Sequence, residues 1–375
     1  MFRNMTRKEF LHTMAGAAAA SALVSNGVGA SALAGPSASN TPAAPRVIPK
    51  LKRGVTLYSY QFAFYKRALT LEGLLAESSA IGANYIQLLP EQMVPGFPNP
   101  TDRFVDQWFD WMDKYHLVPD TYCQFQDTVL IKGQDLSLNE GVAMLERDLK
   151  LANRMGFTKL RLLIGTPIDV VEKTIPLAEK YGVWMGWELH APGNFKTPVV
   201  KRWFDVIERS NTEFLGIVPD FGIFSMRPAR NFGLAGGPPL STTTEAIVKY
   251  IGDQRYAGVE KDVIAADIAK MNPKPGDKSY LDAICRYEVV DPHEVVAHKK
   301  YVRNMHTKFW EMTEDYHEYS IPYEKVIPVL VEGGVDSTMS SEFEGQRFKQ
   351  IDDDEYELEQ VRRHHVMLRR LLGEI

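Results

Sequence analysis

The chain has 375 residues, of which 45% are hydrophobic, and these values indicate a globular protein with room for one large α/β domain. Its formal net charge of −5 argues against a nucleic-acid partner, because neutralising phosphates requires a basic face. The two cysteines, Cys123 and Cys285, are too few for a disulfide scaffold or a cysteine-based zinc site.

Residues 1–34 have the composition of an export signal. The basic stretch Thr6-Arg-Lys-Glu-Phe-Leu11 precedes an apolar, small-residue run from Met14 to Val24, and Ala32-Leu-Ala34 follows. This is the order of a charged region, an apolar region and a cleavage site. The segment resembles a twin-arginine signal, with Arg7-Lys8 in place of Arg-Arg, and a Sec signal is the alternative. We therefore expect a bacterial protein that is exported to the periplasm or the cell exterior.

The apolar part of this signal is too short to cross a bilayer as a mature helix, so no membrane partner is expected after cleavage. Residues 35–53 are rich in Pro, Ala and Ser and are predicted to be a linker.

Residues 54–375 are predicted to form one domain, in which short apolar runs alternate with amphipathic ones. Helix starts are marked by Thr70, by the capping box Ser137-Leu-Asn-Glu140 and by Thr197-Pro198. Eight strands are predicted, at Gly54–Tyr60, Asn84–Leu89, Leu117–Cys123, Lys159–Ile164, Val183–His190, Leu215–Asp220, Met305–Lys308 and Ser337–Glu342.

Strands that alternate with helices indicate a parallel sheet, and eight such units favour a (β/α)₈ TIM barrel over a doubly wound sheet. No G-x-G-x-x-G motif follows the first strand. Residues from about 227 to 300 interrupt the alternation with two or three helical stretches, which predicts a helical insertion between strands 6 and 7. That insertion is either a lid or partner surface over the barrel mouth or a packing element on its rim.

Four successive strands, the fifth to the eighth, end in residues that bind metals. These residues are Glu188, Asp220, His306 and Glu342. In a barrel of this type the carboxyl ends of the strands meet at the face that holds the active site. Three carboxylates packed together without a cation would repel one another, and oxygen and imidazole ligands suit divalent ions. We predict one divalent metal, Mn²⁺ first, with Mg²⁺, Co²⁺ and Zn²⁺ as alternatives.

The stretch from Gly54 to Glu344 resembles the xylose isomerase-like TIM-barrel superfamily, the sugar phosphate isomerase/epimerase group. The resemblance rests on the order of the four predicted ligands. The motifs His306-Thr-Lys-Phe-Trp-Glu311, Ile321-Pro-Tyr and Ser340-Ser-Glu-Phe-Glu-Gly345 look closest to the branch that contains the catalytic subunits of C-glycoside deglycosidases. One departure is Ile223, three residues beyond Asp220, where epimerases commonly carry a histidine.

Further residues are candidates for catalysis and for binding a substrate. His190 and Lys308 lie two positions beyond Glu188 and His306, so strand alternation points them to the same interior side. His190 is a candidate general base or acid, and its alternative role is to orient Glu188 as a partner. Lys308 is a candidate for stabilising an enolate oxygen, and its alternative role is a salt bridge to Glu311 or Glu344. Glu188 and Glu342 are additional catalytic candidates. The substrate-binding candidates are Arg347, Tyr58, Trp187 and Phe221.

These residues predict a metal-dependent isomerase or epimerase that removes a proton next to the carbonyl of a keto-sugar or 3-keto-glycoside. A lyase that eliminates the aglycone begins with the same step and is the first alternative. A non-catalytic sugar-binding or partner subunit, a metal-dependent nuclease and a metal-free glycosidase are the other classes considered. The expected partner is a small carbohydrate, with a homo-oligomer or a second subunit as further partners.

Overall fold

The computed structural model describes residues 50–125, 136–227, 242–285, 288–348 and 356–375, except for the side chains of residues 347 and 348. The predicted export signal and most of the predicted linker lie outside these ranges. The strands are β1 Lys52–Thr56, β2 Tyr85–Leu88, β3 Val118–Gln124, β4 Lys159–Leu162, β5 Trp184–Leu189, β6 Leu215–Pro219, β7 Asn304–Phe309 and β8 Thr338–Phe343. The helices are α1 Gln61–Tyr65, α2 Leu71–Ala80, α3 Pro90–Met93, α4 Asp102–Tyr115, α5 Leu138–Arg154, α6 Ile168–Tyr181, α7 Pro198–Ser210, α8 Glu245–Tyr256, α9 Lys261–Ala269, α10 Pro275–Ile284, α11 Pro292–Ala297, α12 Tyr323–Glu332 and α13 Tyr356–Leu371.

The eight strands form one parallel sheet in the order β6-β5-β4-β3-β2-β1-β8-β7. The two end strands of this order, β6 and β7, approach each other through the parallel bridges Ile217–Val302 and Asp220–His306. The sheet is therefore a nearly closed ring, and the predicted TIM barrel is confirmed. The second bridge joins two of the predicted metal ligands, so the ring closes at the candidate site.

Two strand boundaries differ from the prediction in ways that affect the site. The first strand begins at Lys52, inside the predicted linker, and ends at Thr56, where a 3₁₀ helix takes over from Leu57 to Tyr60. Tyr58 is therefore on a turn above the strand end. The sixth strand ends at Pro219, so Asp220 is the first residue beyond it.

The helix starts largely follow the predicted caps. Ser137 and Glu140 form the reciprocal capping box, and the Thr70 side chain accepts from the backbone N–H of Gly73. Thr197 departs from the prediction, because its hydroxyl bonds with Asn194 instead of capping α7, although Pro198 does open that helix.

The described part of the segment between β6 and β7 is largely helical, as predicted. Its described residues include α8 to α11, and three of these helices pack on one another around a small apolar cluster of their own: Ile247, Ile251, Ile264, Ile268 and Leu281. Arg227, at the start of the segment, donates to the backbone oxygen of Tyr319 at 2.6 Å and to Asp253 at 2.7 Å. The cluster shows that these helices have a local core, and their role as a lid stays a prediction.

The glycine at 216 on β6 is required by close packing where the ring closes. A Cβ atom there would lie 2.2 Å from the backbone oxygen of Tyr301 and 2.6 Å from the Trp184 ring. We expect Gly216→Ala to lower the free energy of unfolding by about 3 kcal/mol, because the backbone must move to accept the methyl group. Urea denaturation would measure the loss. Gly165→Ala is the control, because a Cβ there meets nothing within 4 Å; equal losses in the two variants would contradict the packing argument.

Among the residues that the structure describes, no helix combines the length and the apolar character needed to cross a bilayer.

Candidate metal centre

Glu188 reaches the barrel interior from β5. Its side chain is 4% exposed, and its Oε1 lies 2.8 Å from Nδ1 of His306. On its other side, the NH1 atom of Arg161 lies 4.0 Å from Oε2. Neighbouring residues on β5 point outward because side chains alternate along a strand.

Asp220 is oriented by the turn that follows β6. Its Oδ1 accepts a hydrogen bond of 2.7 Å from the backbone N–H of Gly222 and so caps the 3₁₀ helix Phe221–Phe224. Because Oδ1 is engaged in the cap, Oδ2 is the atom that faces the interior, 4.0 Å from Nδ1 of His306.

His306 on β7 is completely buried. Its Nδ1 faces the carboxylates and lies 3.2 Å from Oε2 of Glu342. Its Nε2 faces the opposite way and lies 2.6 Å from Nε2 of Gln87 on β2. Nδ1 is therefore the ring nitrogen placed to bind an ion.

Glu342 is held in place through its neighbour Ser341, which points to the outside of the barrel. The Ser341 hydroxyl lies 2.9 Å from Nδ1 of His364 and 2.9 Å from Nε2 of His365, both on α13. Arg53 in turn contacts Nδ1 of His365 at 3.0 Å, and burial lowers the pKa of His365 to about 3. Strand β8 is thus anchored to the last helix at the position next to Glu342.

The structure brings all four predicted ligands together. Glu188, Asp220, His306 and Glu342 each offer one ligand atom, and these atoms all lie within 4.8 Å of one another. Three of the converging atoms are buried and make no hydrogen bond that meets the usual geometry, namely Asp220 Oδ2, His306 Nδ1 and Glu342 Oε2. Buried polar atoms almost always make hydrogen bonds, so three that converge on one point without a well-aligned hydrogen bond favour a shared ligand there. The charged groups of the site lie close to them, with Lys308 Nζ 2.8 Å from Asp220 Oδ2 and Glu188 Oε1 2.8 Å from His306 Nδ1.

The charges of the site lead to the same conclusion. Arg161 contacts Glu188, and Lys308 contacts Asp220, Glu342 and Glu344 at 2.8, 3.4 and 3.2 Å. Four carboxylates therefore surround two permanently cationic side chains, which leaves an excess of two negative charges. One divalent cation would neutralise this excess. The residues present therefore fit a divalent metal.

The pKa values of the four side chains reflect this excess of negative charge. Burial by itself raises the pKa of Glu188, but Arg161 and His306 outweigh it and lower the pKa to about 2. Burial lowers the pKa of His306, but Glu342 and Glu188 outweigh it and raise the pKa well above its usual value. For Asp220 burial dominates over the attraction of Lys308, and its pKa rises to about 6. A proton on His306 thus supplies part of the missing positive charge, and metal binding would displace it.

His190 and Lys308 form a second group beside the four ligands. Nδ1 of His190 lies 2.5 Å from the backbone oxygen of Ala191, and Nε2 lies 2.7 Å from Nζ of Lys308. A carbonyl oxygen only accepts and an ammonium group only donates, so these two contacts fit a neutral ring with the proton on Nδ1 and the lone pair on Nε2. The contacts of His190 are with Ala191 and Lys308, and they do not support its alternative role as a partner of Glu188. The alternative predicted for Lys308, a salt bridge to Glu344, is present.

Only one of the four predicted substrate-binding residues is placed at this site by described contacts. Tyr58 is half-buried, and its hydroxyl lies 3.4 Å from Oε1 of Glu344, the partner of Lys308. The side chain of Arg347 lies outside the described residues.

The predictions for Trp187 and Phe221 are wrong. Trp187 is 1% exposed and stacks on Trp203 of α7 with ring centres 5.0 Å apart, because it alternates with Glu188 and faces the helices. Phe221 is fully buried against Phe224 and Tyr323. Neither ring can stack on a sugar in the barrel mouth.

Sequence reasoning missed Arg161 and Gln87. Arg161 is 5% exposed on β4, and its Nε and NH1 atoms are buried without a hydrogen-bond partner. Gln87 is fully buried on β2. The available signal was a charged or amide residue inside an apolar strand: Arg161 lies two residues beyond Lys159, so alternation turns both side chains inward.

No protein-family model matches the chain. Among curated proteins, it is 25% identical to a C-glycoside deglycosidase alpha subunit from Arthrobacter globiformis over 86% of this chain and 93% of that protein. It is 26% identical to a 3'-dehydrocarminate deglycosidase alpha subunit from Microbacterium sp. over 88% of this chain and 97% of that protein.

Among solved structures, a sugar phosphate isomerase/epimerase from Parabacteroides distasonis superposes with a TM-score of 0.51 at 9% identity. The superposition covers 84% of this chain and 97% of that chain. At this identity the superposition supports the fold alone. The similarity to deglycosidase alpha subunits that the sequence predicts is confirmed, and the chain shares its barrel fold with a sugar phosphate isomerase/epimerase.

Proposed function

We propose that this chain is the metal-binding catalytic subunit of an enzyme that removes a proton next to the carbonyl of a 3-keto-glycoside and then eliminates the aglycone. The observation that carries the proposal is the convergence of four ligand atoms within 4.8 Å beside His190, whose Nδ1 lies against the Ala191 carbonyl oxygen and whose Nε2 lies 2.7 Å from Nζ of Lys308. The names of the curated relatives favour the lyase outcome over simple isomerisation, because they are deglycosidase subunits.

Glu188, Asp220, His306 and Glu342 would hold the ion. A divalent cation held there would supply Lewis acidity, which would make the C–H bond next to a substrate carbonyl more acidic. Mn²⁺ is the ion we propose, on the basis of the mixed carboxylate and imidazole donor set.

His190 would act as the general base. Its Nε2 lone pair takes the proton from the carbon next to the carbonyl, and the C–H electron pair moves into an enolate. Nζ of Lys308 lies 2.7 Å from that nitrogen, and it would leave the lone pair free when it turns to donate to the substrate oxygen on which negative charge develops. Held against the site by three carboxylates, its ammonium group has a pKa well above its usual value, although burial opposes this, and it stays a donor at neutral pH.

The elimination follows from the enolate. Its electron pair forms a double bond to the β-carbon, and the bond from that carbon to the aglycone breaks with its electrons on the aglycone. The aglycone atom then accepts a proton, which protonated His190 can return. In an isomerase or epimerase the proton would instead return to the sugar. Both reactions therefore begin with removal of the same proton from the carbon next to the carbonyl.

Arg161 would hold a sugar oxygen at the side of the site where it contacts Glu188. Its unpaired Nε and NH1 atoms are donors in a buried setting, where a hydrogen-bond acceptor of the substrate would satisfy them. The guanidinium also lies 5.3 Å over the ring of Phe125, which restricts its orientation.

We further propose that the protein is exported and works with a second subunit. Export rests on the charged and apolar pattern of residues 1–34 and favours an unphosphorylated sugar substrate. The second subunit rests on the names of the relatives, which are alpha subunits.

Proton exchange tests the proposed reaction. The purified protein, with Mn²⁺ or after treatment with a chelator, is incubated with a 3-keto-glycoside in D₂O and followed by ¹H NMR. We expect the signal of the proton next to the carbonyl to disappear with Mn²⁺ only, together with release of the aglycone. Exchange without release would favour an isomerase. Sugar binding without exchange would favour a non-catalytic subunit and contradict the proposal.

A further inference from the structure

Gln87 occupies the position of an outer partner of His306, behind the metal ligands. Its amide Nε2 is placed 2.6 Å from Nε2 of His306 and 2.7 Å from Sγ of Cys123 on β3. All three side chains are at most 1% exposed, so no solvent can rearrange these contacts. The amide oxygen of Gln87 is buried and has no partner.

The nitrogen of an amide is a donor, and this limits what His306 can do. If the amide donates to Nε2, the imidazole proton must be on Nδ1, which then has no lone pair for an ion. Nδ1 is the atom that faces Glu188 at 2.8 Å and Glu342 at 3.2 Å. Metal binding through Nδ1 therefore places the ring proton on Nε2, where two donors would face each other at 2.6 Å.

Turning the amide by 180° removes this conflict. The two ends of a carboxamide have nearly the same size, so the side chain fills the same space with Oε1 and Nε2 exchanged. The oxygen then accepts the Nε2–H of His306 and can also accept the S–H of Cys123. In either orientation one end of the Gln87 amide has no hydrogen-bond partner. Turning the amide therefore replaces a donor–donor contact by a hydrogen bond and leaves no additional end of the amide unpaired.

We propose that Gln87 positions His306 for metal binding by accepting its Nε2–H through the amide oxygen. Such an acceptor fixes the tautomer and the ring orientation of a ligating histidine, and its loss typically weakens metal affinity by about 10- to 100-fold. Gln87 is thus a positioning residue of the metal centre, and this role rests on the metal site proposed above.

Metal affinity of three variants tests the role of Gln87. Binding of Mn²⁺ alone is measured by electron paramagnetic resonance of the free ion. We expect Gln87→Leu to weaken binding by about 10- to 100-fold, because the Nε2–H loses its acceptor. We expect Gln87→Glu to bind at least as tightly as the wild type, because a carboxylate accepts the same proton. Gln124→Leu is the control, since Gln124 is as buried on β3 but is directed to Asp148.

The outcomes separate this inference from the metal site itself. Wild-type protein that binds no Mn²⁺ would overturn the metal site. Wild-type binding together with an unchanged Gln87→Leu variant, or with a Gln87→Glu variant weakened as much as the leucine variant, would overturn only the role of Gln87. Circular dichroism of the metal-free variants establishes that each one is folded, and an equal loss of affinity in Gln124→Leu would assign the effect to packing and contradict the proposal.

Discussion

Replacing His306 with alanine is expected to abolish tight binding of the divalent ion. The side chain supplies the single nitrogen ligand, at a point where all four ligand atoms lie within 4.8 Å. Loss of a direct ligand should exceed the roughly 10- to 100-fold effect of losing an outer partner. Glu342→Gln is expected to lose the ion as well, because it removes one of the charges that attract the cation. This variant keeps the size of the side chain, so packing is preserved.

Metal content after dialysis and thermal unfolding with and without Mn²⁺ measure these losses. An ion that binds only the folded state adds about 2.7 kcal/mol of stability at 100 times its Kd, so wild-type protein should be stabilised and both variants should not. His317→Ala is the control, because that histidine is 57% exposed and pairs with Glu324 away from the site. Full metal occupancy in both His306→Ala and Glu342→Gln would refute the ligand assignment.

The second large effect is expected at His190. His190→Ala should slow exchange of the substrate C–H proton by about 10²- to 10⁴-fold, the usual contribution of a general base. Metal content should stay at the wild-type level, because His190 contacts Lys308 and Ala191 and is not one of the four ligands. Single-turnover exchange in D₂O, followed by NMR, separates the two properties.

The result that would contradict this role is exchange within a few-fold of the wild-type rate in His190→Ala. Lys308→Met is the informative companion variant, since it removes the cation next to Nε2 and leaves the base. If Lys308→Met abolishes deuterium exchange while His190→Ala preserves it, Lys308 removes the substrate proton, and the roles assigned to the two residues must be swapped.

The metal ligands were predictable from the sequence because they depend on strand ends. Glu188 and Glu342 lie next to the last residues of β5 and β8, and a parallel barrel brings such ends together whatever the details of packing. His306 lies deeper, in the middle of β7, which continues to Phe309. The position of Asp220 depends on a further device, the cap of the 3₁₀ helix, which was not predicted but which directs its free oxygen inward.

The errors concern side chains whose direction is set by alternation or by helix packing. Trp187 follows the outward positions of β5 and meets Trp203, whereas chemical type alone suggested a sugar platform. Gln87 and Arg161 were missed because a single amide or guanidinium within an apolar strand does not reveal that the barrel interior is polar at that depth. Arg161 contacts Glu188 from the adjacent strand β4, whereas Gln87 reaches His306 from β2, across the barrel interior past β1 and β8.

Anomalous diffraction from a crystal grown with Mn²⁺ tests the metal centre most directly. A single anomalous peak is expected, within about 2.3 Å of one atom from each of Glu188, Asp220, His306 and Glu342. For His306 the coordinating atom should be Nδ1. The absence of a peak at saturating Mn²⁺, or a peak elsewhere on the protein with these four side chains uncoordinated, would contradict the proposed site.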